Sequence, residues 1–84
     1  MYKARICVTL RSSILDPQGK AAQHALGHLG FENIEHVRIG KYIEMGISAN
    51  TVEEAEAVAR QACEKLLANP VMEDFDITIV DFSG

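Results

Sequence analysis

The chain has 84 residues, of which 48% are apolar and 24% charged, and these values are ordinary for one globular domain. Its 12 acidic and 8 basic side chains leave a net charge of −4, which argues against a nucleic-acid module and against attraction to an anionic membrane. No apolar run approaches the roughly 18 residues that span a bilayer, and the first residues lack the layout of a signal peptide. We therefore expect a single cytoplasmic domain over residues 1–84, with Cys7 and Cys63 as free thiols.

The first half begins with a predicted strand over residues 3–10, where apolar and polar side chains alternate. A helix follows, with Asp16 as its N-cap, Pro17 at its first position and Gly30 as its C-terminal stop. Helical spacing predicts four residues on its buried side, namely Ala22, Ala25, Leu26 and Leu29.

Residues 34–39 and 42–49 are predicted to form two strands of a hairpin around Gly40-Lys41. A three-residue loop or a nearby bulge places Ile39 and Ile43 on one face. A two-residue turn instead pairs Ile39 with Tyr42, and the pattern leaves both registers open.

A capping box, with Thr51 as N-cap and Glu54 three residues later, starts a second helix that ends before Pro70. Alternation then predicts a last strand over residues 75–82. The buried stripe of the second helix is predicted to contain Ala55, Val58, Ala59, Ala62 and Leu66.

The element order β-α-β-β-α-β predicts an α+β, ferredoxin-like fold, with two helices on one face of a four-stranded antiparallel sheet. The other sheet face has no cover within the chain. It is either solvated or, as we favour for so small a chain, a subunit interface. The residues predicted on it are Lys3, Arg5, Cys7, Thr9, Arg38, Tyr42, Glu44, Thr78, Val80 and Phe82.

Few residues suggest chemistry. His24 and His28 stand four apart on a helix, a spacing that can bridge a metal, but no third ligand stands at a matching position, so we predict solvent-facing histidines. Arg11 in a strand-to-helix loop could hold a phosphate, but the glycines of a phosphate cradle are absent. Cys63 borders a buried stripe and is predicted to be a core thiol. The residues therefore predict no catalytic, cofactor-binding or metal site.

Three longer motifs, in order and at suitable separations, make the chain resemble the PurS family, the small subunits of phosphoribosylformylglycinamidine (FGAM) synthase. The first is the helix start LDPQGK, the second is VRIGKYIE, and the third is LLANPVMEDF. The resemblance covers nearly the whole chain. The matching stretches are residues 8–10, 15–20, 24–26, 29–31, 37–44 and 66–75.

The resemblance implies the βαββαβ fold, self-association as a dimer or tetramer, and a complex with a large synthetase subunit and a glutaminase subunit. That complex converts formylglycinamide ribonucleotide, ATP and glutamine into FGAM, ADP, phosphate and glutamate. The family's small subunit is not catalytic, bridges the two enzymes and helps to enclose an ammonia passage. ATP and magnesium are implied on the large subunit, with no cofactor in this chain.

Six polar or turn residues of the matching motifs are expected to contact partner subunits. Two other functions stay open. One is a ferredoxin-like regulatory domain that binds a small molecule at a dimer interface, and the other is an acyl-phosphate hydrolase that uses Arg11. The expected partner-interface residues are Asp16, Gln18, Lys20, Arg38, Gly40 and Lys41.

Overall fold

A computed structural model describes residues 1–81 of the chain, so Phe82, the predicted end of the last strand, lies outside the described residues. The elements alternate between strands and helices, and the second helix continues into one π-helical turn. Their bounds are β1 (Tyr2–Leu10), α1 (Pro17–His28), β2 (Lys41–Ile47), α2 (Val52–Ala62), the π-helical turn (Cys63–Leu67) and β3 (Glu73–Asp81).

The three strands form one antiparallel sheet in the order β2-β1-β3. The register places Ile6 of the central strand opposite Ile43 on one side and Ile77 on the other. The predicted α+β class is therefore confirmed. The predicted four-stranded sheet is wrong for the described residues, because residues 34–39 do not form a strand.

Residues 34–39 instead run past the start of α1, which explains the missing strand and hairpin. The N–H of Ile39 donates to the Asp16 carboxylate at 2.8 Å, and the Arg38 guanidinium donates to the carbonyl of Leu10. His36 has a φ of 57°, a left-handed conformation that interrupts an extended chain. This segment is held by the loop and helix cap before it, and the question of hairpin register does not arise.

The core lies between the sheet and α2. Ala4, Ile6 and Val8 of β1 are fully buried or nearly so, as the alternation predicted. On the helix side, the buried residues are Ala55, Ala59 and Cys63. Small residues at this spacing let the helix lie close to the sheet.

The predicted stripe of α2 is only partly correct. Val58 is 46% exposed and Leu66 is 83% exposed. The N–H of Ala68 donates to the carbonyl of Cys63, five residues back, so the last turn holds an extra residue. That extra residue rotates the following positions away from the α-helical stripe, and Leu66 faces solvent.

The first helix does not take its predicted place on the sheet, since α2 alone packs extensively against the strands. We call residues 11–40 the arm, and the three strands with α2 and the π-helical turn the body. Only Gly19 is buried within the arm. The radius of gyration is 16.2 Å, against about 12 Å for a compact chain of this length. The arm therefore extends the molecule instead of completing a second layer.

Candidate functional site

The arm is anchored where α1 begins. The Asp16 carboxylate accepts one hydrogen bond from the N–H of Gly19 at 3.0 Å and another from the N–H of Ile39 at 2.8 Å. These bonds, that from Ile39 first, hold the pKa of Asp16 below its usual value of 3.8, because they stabilise the charged form. Asp16 is thus both the predicted helix cap and the residue that ties two segments of the arm together.

Two glycines allow the close approaches on which this anchor depends. A Cβ on Gly19 would collide with the carbonyl oxygen of Val37, and one on Gly40 would collide with the carbonyl oxygen of Val8. Residues 34–40 therefore fit between the start of α1 and the end of β1 only because both positions lack a side chain.

The structure brings three of the six expected interface residues, Asp16, Lys20 and Arg38, around one cavity of about 560 Å³. Lys41 lies elsewhere, with its Nζ donating to the carbonyl of Leu67 at 3.1 Å. Several of these side chains thus make bonds within the chain. Those of Gln18 and Lys20 are exposed and make no hydrogen bond to another residue within 1–81.

A second, more apolar groove of about 980 Å³ runs along α1. It is lined by Leu15, Ala21, Ala25 and Phe31 among others. Leu15 and Phe31 are 71% and 50% exposed, and Leu29 at the end of the helix is 74% exposed. Sequence reasoning missed this surface because it assigned the apolar side of α1 to the core. The available signal was the pair of large apolar residues flanking the ends of the helix.

The sheet face opposite α2 carries a cluster of paired polar side chains. Lys3 Nζ lies 3.5 Å from a Glu44 carboxylate oxygen, and the Tyr42 hydroxyl donates to Glu44 at 2.9 Å. The Tyr42 hydrogen bond and then the Lys3 charge lower the pKa of Glu44, while the same hydrogen bond raises the pKa of Tyr42. Cys7 is exposed on the central strand of this face. This face is more polar than the groove along α1.

Two further candidates for chemistry, Arg11 and Cys63, serve the fold. The Arg11 guanidinium donates to the carbonyl of Pro70 at 2.5 Å and lies 3.6 Å from Asp74, so it joins the loop before β3 to the end of β1. It does not point to a phosphate-binding role. Cys63 is buried, as predicted, and burial raises the pKa of its thiol, which makes it a poor nucleophile.

Two absences apply to the described part of the chain. Residues 1–81 contain no group of three or more His, Cys, Asp or Glu side chains placed to hold a metal ion. None of their helices combines the length and apolar character needed to cross a membrane. The arrangement offers surfaces for binding, and the groove along α1 is more apolar than the cavity beside Asp16.

Comparison with known proteins gives a consistent result. A family model described as PurS: phosphoribosylformylglycinamidine (FGAM) synthase matches residues 3–81. The PurS subunit of that synthase from Bacillus subtilis is 45% identical over 75 residues, which are 89% of this chain and 88% of the relative. These matches include both the arm and the body.

Solved structures agree. Methanocaldococcus jannaschii PurS, one of the subunits of formylglycinamide ribonucleotide amidotransferase, is similar with a TM-score of 0.89 and 36% identity, over 99% of this chain and 100% of that one. A chain in the structure of PurLQS from Thermotoga maritima has a TM-score of 0.86 and 32% identity, over 94% of this chain and 96% of that one. The similarity thus extends across the arm in both cases.

Proposed function

The chain belongs to the family of PurS subunits of phosphoribosylformylglycinamidine (FGAM) synthase, and we propose that it is the small, non-catalytic subunit of such a complex. The complex makes FGAM from formylglycinamide ribonucleotide, ATP and glutamine in purine biosynthesis. In this proposal the large synthetase subunit binds ATP and magnesium, a glutaminase subunit releases ammonia, and the complex works in the cytoplasm. This chain bridges the two enzymes and needs no cofactor of its own.

The role of a bridging subunit follows from the chemistry of ammonia. Free ammonia is protonated at neutral pH, and the ammonium ion is not a nucleophile, so an open path between two active sites would waste it. A subunit that holds both enzymes in one orientation raises their effective concentration and shortens that path. A small, rigid body with accessible surfaces suits this task, and it requires no acid–base pair.

We further propose that a second copy of the chain covers the arm. Leu29 and Leu15 are more than two-thirds exposed beside a groove of about 980 Å³. So much apolar surface on so small a chain is typical of an interface, because the chain's own core is limited. The extended shape, with a longest dimension of 50 Å, also favours a partner that fills the space beside α1.

The partner enzymes are proposed to contact the polar end of the arm. Gln18, Lys20 and Arg38 offer donors there, and Lys20 and Arg38 are cationic. Lys41, at the start of β2, is proposed as a separate partner contact. Asp16 and Gly40 contribute by holding this surface in place through the contacts described above. A cationic patch on a chain of net charge −4 would favour an acidic surface on a partner.

One observation carries the proposal, namely that a relative at 32% identity and a TM-score of 0.86 lies in the PurLQS assembly of Thermotoga maritima. The decisive experiment is reconstitution with purified large and glutaminase subunits. Glutamine-dependent FGAM synthesis should require this chain, whereas ammonia-dependent synthesis by the large subunit should need it much less. Equal glutamine-dependent rates with and without the chain would refute the bridging role.

A pair of variants tests the proposed contact surface in the same assay. Lys20→Glu, which reverses a charge, combined with Gln18→Glu, which adds a negative one, should reduce co-purification of the three subunits while the circular dichroism of the chain stays unchanged. Glu53→Lys, at the start of α2 in the body, serves as a charge-changing control. Equal recovery of all three subunits with the double variant would show that the partners bind elsewhere.

A further inference from the structure

The side chains of His24 and His28 meet on α1, where both line the groove of about 980 Å³. Their Nε2 atoms lie 3.2 Å apart, and the rings are nearly perpendicular, with centroids 4.7 Å apart. One Nε2 donates and the other accepts in this contact. For both nitrogens to bind a metal, the donating ring must carry its proton on Nδ1 instead, which leaves a lone pair on each Nε2. Residues four apart on a helix lie one above the other, which fixes this approach.

The separation matches a metal chelate. If each metal–nitrogen bond is about 2.0–2.1 Å long and the two Nε2 atoms stay 3.2 Å apart, the nitrogen–metal–nitrogen angle is roughly 100–105°. That angle lies close to the tetrahedral value, and imidazole nitrogen suits Zn²⁺, Ni²⁺ and Cu²⁺. Both rings are exposed in the single chain, so an ion can reach them there without rearrangement of the fold, and they line the groove proposed for the second copy.

We propose that His24 and His28 form a two-imidazole site for a late divalent transition-metal ion, with water in its other coordination positions. No third His, Cys, Asp or Glu within residues 1–81 joins the pair, so the site is of the open kind. This inference concerns binding by the chain itself and does not depend on the proposed role in FGAM synthesis.

Such a site would act on the least supported helix of the molecule. Packing against the sheet does not support α1, and Gly27 lies inside the turn that the two histidines span. Glycine weakens a helix interior because it has more conformational freedom to lose. An ion that joins His24 to His28 would lock this turn and make the arm a stiffer surface.

The test uses the full-length, untagged chain and Zn²⁺ alone, titrated by isothermal calorimetry at neutral pH. One ion per chain should bind, and His24→Gln and His28→Gln should each weaken binding by about tenfold or more. His36→Gln is the matched control, since this exposed histidine lies outside α1 and should not change affinity. Circular dichroism checks that each variant keeps its helices.

Amide hydrogen exchange supplies the second measurement. Zn²⁺ should slow exchange severalfold in α1 of the wild-type chain and leave both glutamine variants unchanged. The proposal is overturned if the wild-type chain shows no saturable binding. It is also overturned if only one of the two histidines matters, since a chelate needs both, or if His36→Gln removes the binding.

Discussion

The arm and the body have similar local sequence patterns, but only the body buries its large apolar side chains. In the body, β1 buries Ile6 and Val8 against α2, whose own buried residues are small. In the arm, an equally well-capped helix buries only Gly19, and Leu29 is 74% exposed. Both helices have an N-cap side chain that accepts a backbone N–H, Asp16 in α1 and Thr51 in α2.

Capping and helical spacing are therefore enough to form a helix but do not determine where it packs. The body closes on itself because the two sides of its core come from one chain. The arm keeps apolar surface in water, and association with a second copy would remove it. We therefore expect the body to determine stability and the arm to determine assembly, and four experiments test that division.

The largest expected effect is on the body. Ile6→Ala should lower the free energy of unfolding by about 2–5 kcal/mol, because it leaves a cavity at a fully buried position of the central strand. Chemical denaturation at protein concentrations where the chain is monomeric measures this. Leu66→Ala, at a position 83% exposed, should change it by less than about 0.5 kcal/mol. If Leu29→Ala in the arm lowers the free energy of unfolding as much as Ile6→Ala does, the arm also determines stability and the proposed division is wrong.

The anchor of the arm should be the next most sensitive point. Gly19→Ala forces a methyl group against the carbonyl of Val37, and we expect a loss of about 1–3 kcal/mol. Gly27→Ala is the matched control, because a Cβ there meets nothing within 4 Å, and it should stabilise α1 by about 1 kcal/mol. Thermal unfolding followed by circular dichroism distinguishes them. If both variants change the unfolding temperature by the same amount in the same direction, the close contact between Gly19 and the carbonyl of Val37 is contradicted.

The exposed end of α1 should affect association rather than folding. Leu29→Asp should weaken self-association by about tenfold or more, equivalent to about 1.4 kcal/mol, because it places a charge in an apolar contact. Analytical ultracentrifugation over a concentration series measures this. Val52→Asp puts the same charge on an exposed position of the body and should leave association unchanged. The reverse ranking of the two variants would place the interface on the body.

The smallest effect should be a local response to acid. The pKa of Asp16 is lowered in the folded chain, so its contribution is fully present above the unfolded value near 3.8 and is lost as pH falls through the folded pKa. As the pH falls below about 3.8, NMR shifts of the Ile39 and Gly19 amides should report loosening of the anchor before the body unfolds. In Asp16→Asn these shifts should not follow that titration, and an unchanged titration would exclude Asp16 as its source.

Part of the candidate site could be predicted from residues alone. Asp16 and Thr51 were identified as helix caps, and the alternation of β1 placed Ile6 and Val8 in the core. These are local properties, since a cap or an alternating strand depends on neighbours within a few residues. Cys63 was likewise predicted as a core thiol from its place beside the buried stripe.

The errors share one cause. Residues 34–39 alternate like a strand, but Ile39 donates to Asp16, which lies 23 residues earlier in the chain. The exposure of Leu66 depends on one extra residue in a helical turn. Neither feature has a short-range signal, because each arises from a competition between hydrogen-bonding partners that meet only when the chain folds.

The amino-acid pattern alone predicted the α+β class, the helix starts, the buried face of β1 and the resemblance to PurS subunits. Three features are visible only in the tertiary structure: α1 does not pack on the sheet, residues 34–40 fit between Gly19 and β1, and His24 contacts His28. The physical reason is how far apart the interacting residues lie along the chain. Caps and alternation are set by adjacent residues, whereas the position of the arm depends on which distant surface can bury it. Among residues 1–81 no such surface covers α1.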